Sequence, residues 1–340
     1  YPKPIMDFFV KMPEVGKIYG KGETKSTVKL KNGMDIDLRV VEEKSYGAAL
    51  NYFTGSKEHN VALRQIAKDK GLKLSEYGLF KGNKFIAGRN EEELYKALGL
   101  RYIVPELRES HGEEIKASRE NKLPNLINYD ELKGDLQVQT NWTDGSNSIK
   151  EMAVEAKKYG LQYFAITDHT KALAMTGLKE SDLVAQGKEI DKLNKELTGI
   201  KIFKGAEVNI LKDGTLDIND ETLSKLDIVG IAVHSNFNMS KADMTNRIIK
   251  AMKNKHTDIL FHPTGRIIHK REPYEVDMDK IKAVKAGAKL CIDSDAHNIK
   301  HFDFLKFGIG QARRGWATHN DIINTKSLKE FEEFLKLKHR

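Results

Sequence analysis

The spacing of apolar and polar positions changes rhythm once along this chain, near residue 134. Before that point the elements are short and mixed. Residues 6–11 read as the end of a helix. Ser26–Leu30 and Asp35–Val41 alternate about Asn32-Gly33, which predicts a β-hairpin. Helical spacing follows over 45–53 and 57–70, the second stopped by Gly71. A second short hairpin is predicted within Lys81–Ala87 and a short helix over Glu91–Leu98. Residues 109–130 are polar and weakly periodic, contain Pro124, and predict a linker. Beyond 134, strands are predicted near 135–139, 162–167, 201–207, 227–233, 257–261 and 288–293. Helices are predicted near 147–159, 179–197, 220–225, 241–253, 278–286, 303–313 and 327–337. Alternating βα units with buried strands imply an α/β fold with a largely parallel sheet, either a barrel or doubly wound.

The chemistry lies at the strand ends. Five apolar runs each finish in a potential metal ligand: Phe164–His169, Phe203–Glu207, Ile228–His234 with Gly230 as a buried spacer, Ile259–His262, and Leu290–His297. Side chains at the carboxyl ends of successive parallel strands converge on one rim. Imidazoles and carboxylates gathered there make a site of nitrogen and oxygen donors. One buried histidine alone is more often a hydrogen-bonding core residue, and it is the recurrence that favours a metal. Such donors suit zinc, manganese or iron without separating them. A sixth run, Asp135–Gln139, ends in the amides Gln137 and Gln139 and is followed by Trp142-Thr143-Asp144-Gly145.

Composition narrows the class. At 340 residues the chain fits two domains. No apolar stretch reaches the ~20 residues of a membrane span, and the first residues do not form a signal peptide. A lone Cys291 in an apolar run adds to an expectation of a reducing, cytoplasmic location without membrane association. Asn141-Trp142-Thr143 matches a glycosylation sequon, which carries no weight without secretion. The first residue is Tyr1 rather than Met, which reads as part of a longer product. The net charge of +8 permits a polyanionic partner but equally describes a solvated surface. Gly16 to Lys21 is not a phosphate-binding loop: the glycine spacing is one short and Gly22 replaces the required hydroxyl.

Taken in order, Gly134-Asp135-Leu136, Asp144-Gly145, Thr167-Asp168-His169, Gly205-Ala206-Glu207, Val233-His234-Ser235, His262-Pro263 and Asp295-Ala296-His297 resemble the polymerase and histidinol phosphatase (PHP) domain, over about 134–315. The resemblance implies an irregular (β/α)7-like barrel and a metal-dependent phosphoesterase. It implies that Glu207, His234 and His262 hold one ion and Asp144, His169 and His297 another. Glu207 and Asp295 would hold a third with two early histidines. Gln137 and Gln139 stand at those two positions. An amide oxygen is a weaker donor than imidazole toward such metals, so the third site is expected to be weak or empty and catalysis slowed or lost. Arg266, after His262-Pro263, is the candidate for positioning the phosphate. Only one helix, Met278–Ala286, fits where the family usually inserts a further strand and crossover. The barrel is therefore expected one βα unit short, or the sequence lacks that segment.

In the N-terminal part, Asp35, Asp37 and Arg39 share one strand face. Tyr52-Phe53-Thr54-Gly55-Ser56 joins two helices, with Asn60 and Arg64 one turn apart on the second. Singly, these are an exposed hairpin face and helix-end packing. Their order, from Lys21–Lys25 to Tyr102–Glu109, resembles the palm strand and nucleotide-selection subdomain of family X DNA polymerases. The resemblance implies that Asp37 is one of three carboxylates on two magnesium ions. Tyr52, Phe53 and Gly55 would line the incoming deoxynucleotide, with Asn60 and Arg64 reaching nucleotide and template. The other two carboxylates have no counterpart here, so nucleotide incorporation is not expected from these residues. Many bacterial and archaeal members join this module to a PHP domain, so the two resemblances support each other. The expected organisation is a partial palm over 1–44, a nucleotide-selection subdomain over 45–109, a linker over 110–130 and a PHP domain over 131–340. The implied function is that of a DNA repair polymerase part whose PHP domain is a 3′–5′ exonuclease or phosphodiesterase on primer ends and gaps. The alternatives are a degenerate PHP barrel with a structural or DNA-binding role, and a small-molecule phosphatase of the histidinol-phosphate kind. Oligomeric state is not legible.

Overall fold

A computed structural model describes residues 2–109, 112–173, 175–284 and 288–338. The chain divides into two compact units, Tyr1–Leu123 and Pro124–Arg340. Among the described residues no helix is long and apolar enough to cross a membrane.

The first unit contains α1 (Pro2–Phe9), β1 (Val15–Lys21), β2 (Lys25–Leu30), β3 (Asp35–Arg39), α2 (Tyr46–Thr54), α3 (Lys57–Asp69), β4 (Lys73–Ser75), β5 (Gly78–Lys81), β6 (Lys84–Ala87), α4 (Glu91–Ala97) and α5 (Glu113–Arg119). The hairpin predicted about Asn32-Gly33 is β2 and β3, antiparallel with Thr27 opposite Asp37. Ser26 and Val28 of β2 are buried, as a period of two requires. The unforeseen β1 is an edge strand with almost every side chain exposed, so it carries no apolar alternation to read. Local caps set the helix starts. Ser56 Oγ accepts from His59 N at 3.2 Å, and Asn90 Oδ1 accepts from Glu93 N at 2.8 Å ahead of an acidic first turn.

The linker expected over 110–130 needs correction. Its described part contains α5, and the unit boundary falls after Leu123. Glu114 is buried and pairs with His59 Nδ1 at 3.1 Å, while Ser118 Oγ donates to Arg101 O at 2.6 Å. These long-range polar contacts hold a helix whose sequence has little apolar period.

The second unit contains β7 (Gly134–Val138), α6 (Ile149–Tyr159), β8 (Tyr163–Ile166), α7 (Glu180–Glu196), β9 (Lys201–Asn209), α8 (Asp220–Leu223), β10 (Ile228–Ala232), α9 (Lys241–Met252), β11 (Ile259–Leu260), α10 (Met278–Val284), α11 (Leu305–Arg314) and α12 (Leu328–Lys338). The five strands lie side by side in chain order, all parallel. Every residue of β7, β8 and β10 is buried; β8 and β10 accordingly read as continuous apolar runs, while β7 buries Asp135 and Gln137 among its apolar residues. Gly230 is a buried spacer, since a Cβ there would overlap the Phe261 ring. One side of the sheet packs Val138, Phe164, Ile166 and Ile202 against Met152, Ala153 and Ile190 of α6 and α7. Another cluster joins Leu136, Tyr163, Phe203 and Ile228 to Phe331 of α12, whose ring stacks on Tyr163 at 4.6 Å between centroids.

The strand expected over 288–293 does not form. Its region makes one bridge, Leu290 to Ile322, and the next backbone bridge to β7 is at Ala296, opposite Val138. Side chains take the ladder's hydrogen bonds instead. Leu136 N donates to Asp293 Oδ1 at 2.8 Å, Ser294 N to Asp135 Oδ1 at 3.2 Å, and Ile292 N to Asn324 Oδ1 at 3.1 Å. The predicted helix over 278–286 is described as far as Val284, and its last two positions lie outside the described residues.

Candidate metal centre

Glu207, fully buried inside β9, is the hub. Its Oε1 lies 2.7 Å from His262 Nε2 and 3.0 Å from His234 Nε2. Each of these histidines follows the end of its own strand, β11 and β10. His169 follows β8, is bridged to Glu207 through the backbone, and faces Glu207 Oε2 with Nδ1 at 3.8 Å. Its other nitrogen lies 3.7 Å from Asp144 Oδ2, and His297 Nε2 approaches the same oxygen at 3.4 Å. Asp144, His169 and His297 thus form one group of potential ligands, and His169, Glu207 and His234 another, each with donor atoms within 4.8 Å of one another. His262 joins the second group through Glu207.

The separations around His169 are too long for hydrogen bonds. Its Nδ1 is buried without a partner, as is Asp295 Oδ1. Orphaned buried polar atoms of this kind require an explanation, and a divalent cation held at this rim would provide one. Nitrogen and oxygen donors in this number fit such an ion.

Without an ion, these carboxylates and imidazoles shift one another. Burial would raise the Glu207 carboxyl, but hydrogen bonds from His234 and His262 hold it far below the usual carboxylate range. Burial disfavours charge on His262, yet the Glu207 bond raises it. His297 is pushed up to about 9, against burial, by Asp144 and Asp295. Burial lowers His169, despite the pull of Glu207. Asp295 is raised by burial and by Glu207 beside it. Both Asp295 and His262 have left-handed backbone, φ +52° and +26°, a strained geometry for non-glycine residues that recurs at functional sites.

Gln137 Nε2 and Gln139 Nε2 both donate to Glu207 Oε2, at 3.1 and 2.8 Å, so their amides occupy the oxygen that a third ion would share. Arg266 is exposed on the loop after His262.

Supporting residues that sequence reasoning missed complete the site. Asn209 is buried, and its Oδ1 accepts from His234 Nδ1 at 2.7 Å, which turns Nε2 toward Glu207. Asp217 Oδ2 and Thr170 O hold the Asn209 amide at 3.0 and 3.1 Å. A signal for Asn209 existed: it lies two residues beyond Glu207 on the same strand face. Asp168 is not a ligand. Its carboxylate accepts from Thr140 N, Thr143 Oγ1 and Gln186 Nε2 at 2.6–2.7 Å and so fastens the Asp144 loop to β8.

In the first unit the polymerase-like residues lie on β3, on α2 and α3, and at the turn between those helices. Asp37 lies on β3, bound to Thr27 Oγ1 and to Lys25 Nζ at 3.1 Å, which lower its carboxyl below the ordinary value. Tyr52 and Phe53 are exposed and meet edge to face at 5.0 Å, with the Arg39 guanidinium over the Phe53 ring at 5.2 Å. Tyr52, Asn60 and Arg64 line one small depression with Ala48, Asn51, Leu74 and Ser75. The Asn60 amide is buried and used internally, donating to Tyr52 O at 2.7 Å and accepting from Asn51 Nδ2 at 3.1 Å. It therefore shapes the depression, while Arg64 is exposed beside it. Gly55 supplies the positive φ of +77° between α2 and α3.

Residues 49–109 match the DNA polymerase beta thumb model and residues 135–275 the PHP domain model. The chain is 38% identical to the Bacillus subtilis (strain 168) DNA polymerase/3′-5′ exonuclease PolX over 99% of its own length and 64% of the relative's. That match runs over 369 residues, more than the 340 of this chain, so the relative has stretches without a counterpart here. A probable phosphatase of Thermoanaerobacter sp. (strain X514) is 29% identical over 57% of this chain and 90% of its own. A probable phosphatase of Caldanaerobacter subterraneus subsp. tengcongensis is 32% identical over 40% and 50%. The chain thus joins a match to the DNA polymerase beta thumb model to a match to the PHP domain model, and nearly all of it is similar to about 64% of the length of that relative.

Proposed function

We propose that the PHP unit is a metal-dependent 3′–5′ exonuclease that hydrolyses phosphodiesters at DNA primer ends and gaps. The observation that carries this reading is the rim of donors about Glu207 and Asp144, with the buried His169 ring between them, Nδ1 toward Glu207 and Nε2 toward Asp144. Glu207, His234 and His262 would hold one ion and Asp144, His169 and His297 another, with zinc, manganese and iron as the candidates. Such ions supply Lewis-acid polarisation of the phosphate and an acidified water.

This chain's own residues prepare the site. Glu207 remains ionised through the bonds it accepts, and Asn209 orients His234. Asp168 anchors the loop that carries Asp144, and Arg266 is assigned to the incoming phosphate from the solvent side. In the first unit, Tyr52, Phe53, Gly55 and Arg64 are assigned to a deoxynucleotide, with Asp37 as a magnesium ligand. The Bacillus subtilis relative carries polymerase and exonuclease in its name, which supports DNA as the partner of both units.

The test is hydrolysis of a 3′-recessed DNA with added manganese or zinc. Product is expected from the wild-type chain and none from His234→Ala. A second reading, a PHP unit that binds metal without catalysis, draws on Gln137 and Gln139 satisfying Glu207 Oε2. Metal uptake without any hydrolysis would select it. Faster turnover of free phosphomonoesters than of DNA would select a small-molecule phosphatase.

A further inference from the structure

A row of aromatic rings leads away from the metal centre. The chain beyond His297 enters a 3-10 helix, Ile299–Phe304, which runs directly into α11. With three residues per turn, side chains three apart eclipse one another. His301 and Phe304 accordingly stack, with centroids 4.6 Å apart and planes 25° from parallel. Phe307, one turn further, lies 6.2 Å from Phe304. At the other end the His301 ring is 6.4 Å from that of His297, and its Nδ1 accepts from His297 N at 3.2 Å.

Core packing does not account for the outer two rings. Phe302, Leu305 and Ile309 of the same segment already fill the core. Phe304 and Phe307 remain 44% and 63% exposed. Lys300 and Lys306 are exposed beside them, the latter with Nζ 5.3 Å from the Phe307 centroid. Asp303 is the one carboxylate within 298–310.

Exposed aromatic faces beside cations suit unpaired nucleic acid, because every base has a π-face to stack and the lysines can follow the phosphates. A duplex hides those faces. We propose that His301, Phe304 and Phe307 form a base-stacking track for unpaired nucleotides next to the phosphodiester bound at the metal centre. This rests on the proposed function, since it takes its ligand from the reaction assigned to the rim.

The test uses the full chain carrying Phe304→Ala, Phe307→Ala or both, and Phe307→Trp. Binding of a fluorescein-labelled single-stranded oligothymidylate is followed by anisotropy with a chelator present, so no hydrolysis intervenes. Hydrolysis of bis(p-nitrophenyl) phosphate with manganese reports the metal centre without bases. Each alanine is expected to weaken oligothymidylate binding by about five- to a hundredfold. Phe307→Trp should retain binding, and every variant should hydrolyse the small diester at the wild-type rate. Unchanged oligothymidylate affinity in the double variant overturns the proposal. So does a wild-type dimer that the double variant loses without any change in DNA affinity, since the face would then serve self-association. If the wild type cleaves neither DNA nor the small diester, the exonuclease reading fails, while the affinity comparison still decides the track.

Discussion

Asn209→Ala should weaken metal binding through a residue that is not itself a ligand. The substitution removes the Oδ1 that accepts from His234 Nδ1 at 2.7 Å. It also removes the amide that donates to Asp217 Oδ2 at 3.0 Å and to Thr170 O at 3.1 Å. Without that acceptor, nothing fixes the His234 tautomer that presents a lone pair at Nε2. Deleting such an outer partner costs on the order of 10- to 100-fold in metal affinity, or about 1.4–2.7 kcal/mol. Metal-free stability should fall by about 1–3 kcal/mol, because Asp217 keeps its bonds from Thr170 Oγ1 and Ala172 N. Competition with a chromogenic chelator for zinc or manganese measures the affinity, and a double-mutant cycle with His234→Ala assigns it. If Asn209 acts through His234, the double variant loses no more affinity than His234→Ala alone. An affinity within about twofold of wild type, or losses that simply add, would refute the reasoning.

Other consequences can be measured directly. Gln137→His with Gln139→His should raise bound metal by about one equivalent per chain, because imidazoles are stronger donors than the amides now bonded to Glu207; unchanged stoichiometry by elemental analysis would count against a third site. His297 is raised from 6.5 to about 9 by its bond to Asp144. In chelated protein its stabilising contribution is therefore complete below pH 6.5 and disappears as pH rises through about 9. Melting curves should show the wild-type advantage over His297→Gln shrinking across that interval. Arg108→Ala should cost about 3–5 kcal/mol in urea unfolding of the first unit, since buried Arg108 donates to buried Glu91 at 2.7 Å and to Ile103 O at 3.0 Å. A loss below about 1 kcal/mol would show that Glu91 finds another partner.

The amino-acid sequence by itself determined the alternation of strands and helices after residue 134 and which strand ends carry imidazole or carboxylate. Both are local properties. A strand buried on both faces tends toward an unbroken apolar run, as β8 and β10 do, and side chains just past its carboxyl end gather at the rim. The hairpin about Asn32-Gly33 and the caps of α3 and α4 are equally local. Tertiary structure alone decided which hydrogen bonds close over long separations, because a polar partner far along the chain leaves no periodic trace. Leu136 N finds Asp293, 157 residues away, and with Asp135 and Asn324 this replaces the strand that the run before Asp295 predicts. His59 holds Glu114 and makes a helix of the expected linker. Gln137 and Gln139 read as missing ligands, but in three dimensions they are donors that occupy one oxygen of Glu207. The residue types specify which donors are available, and only the fold specifies which atom each of them faces.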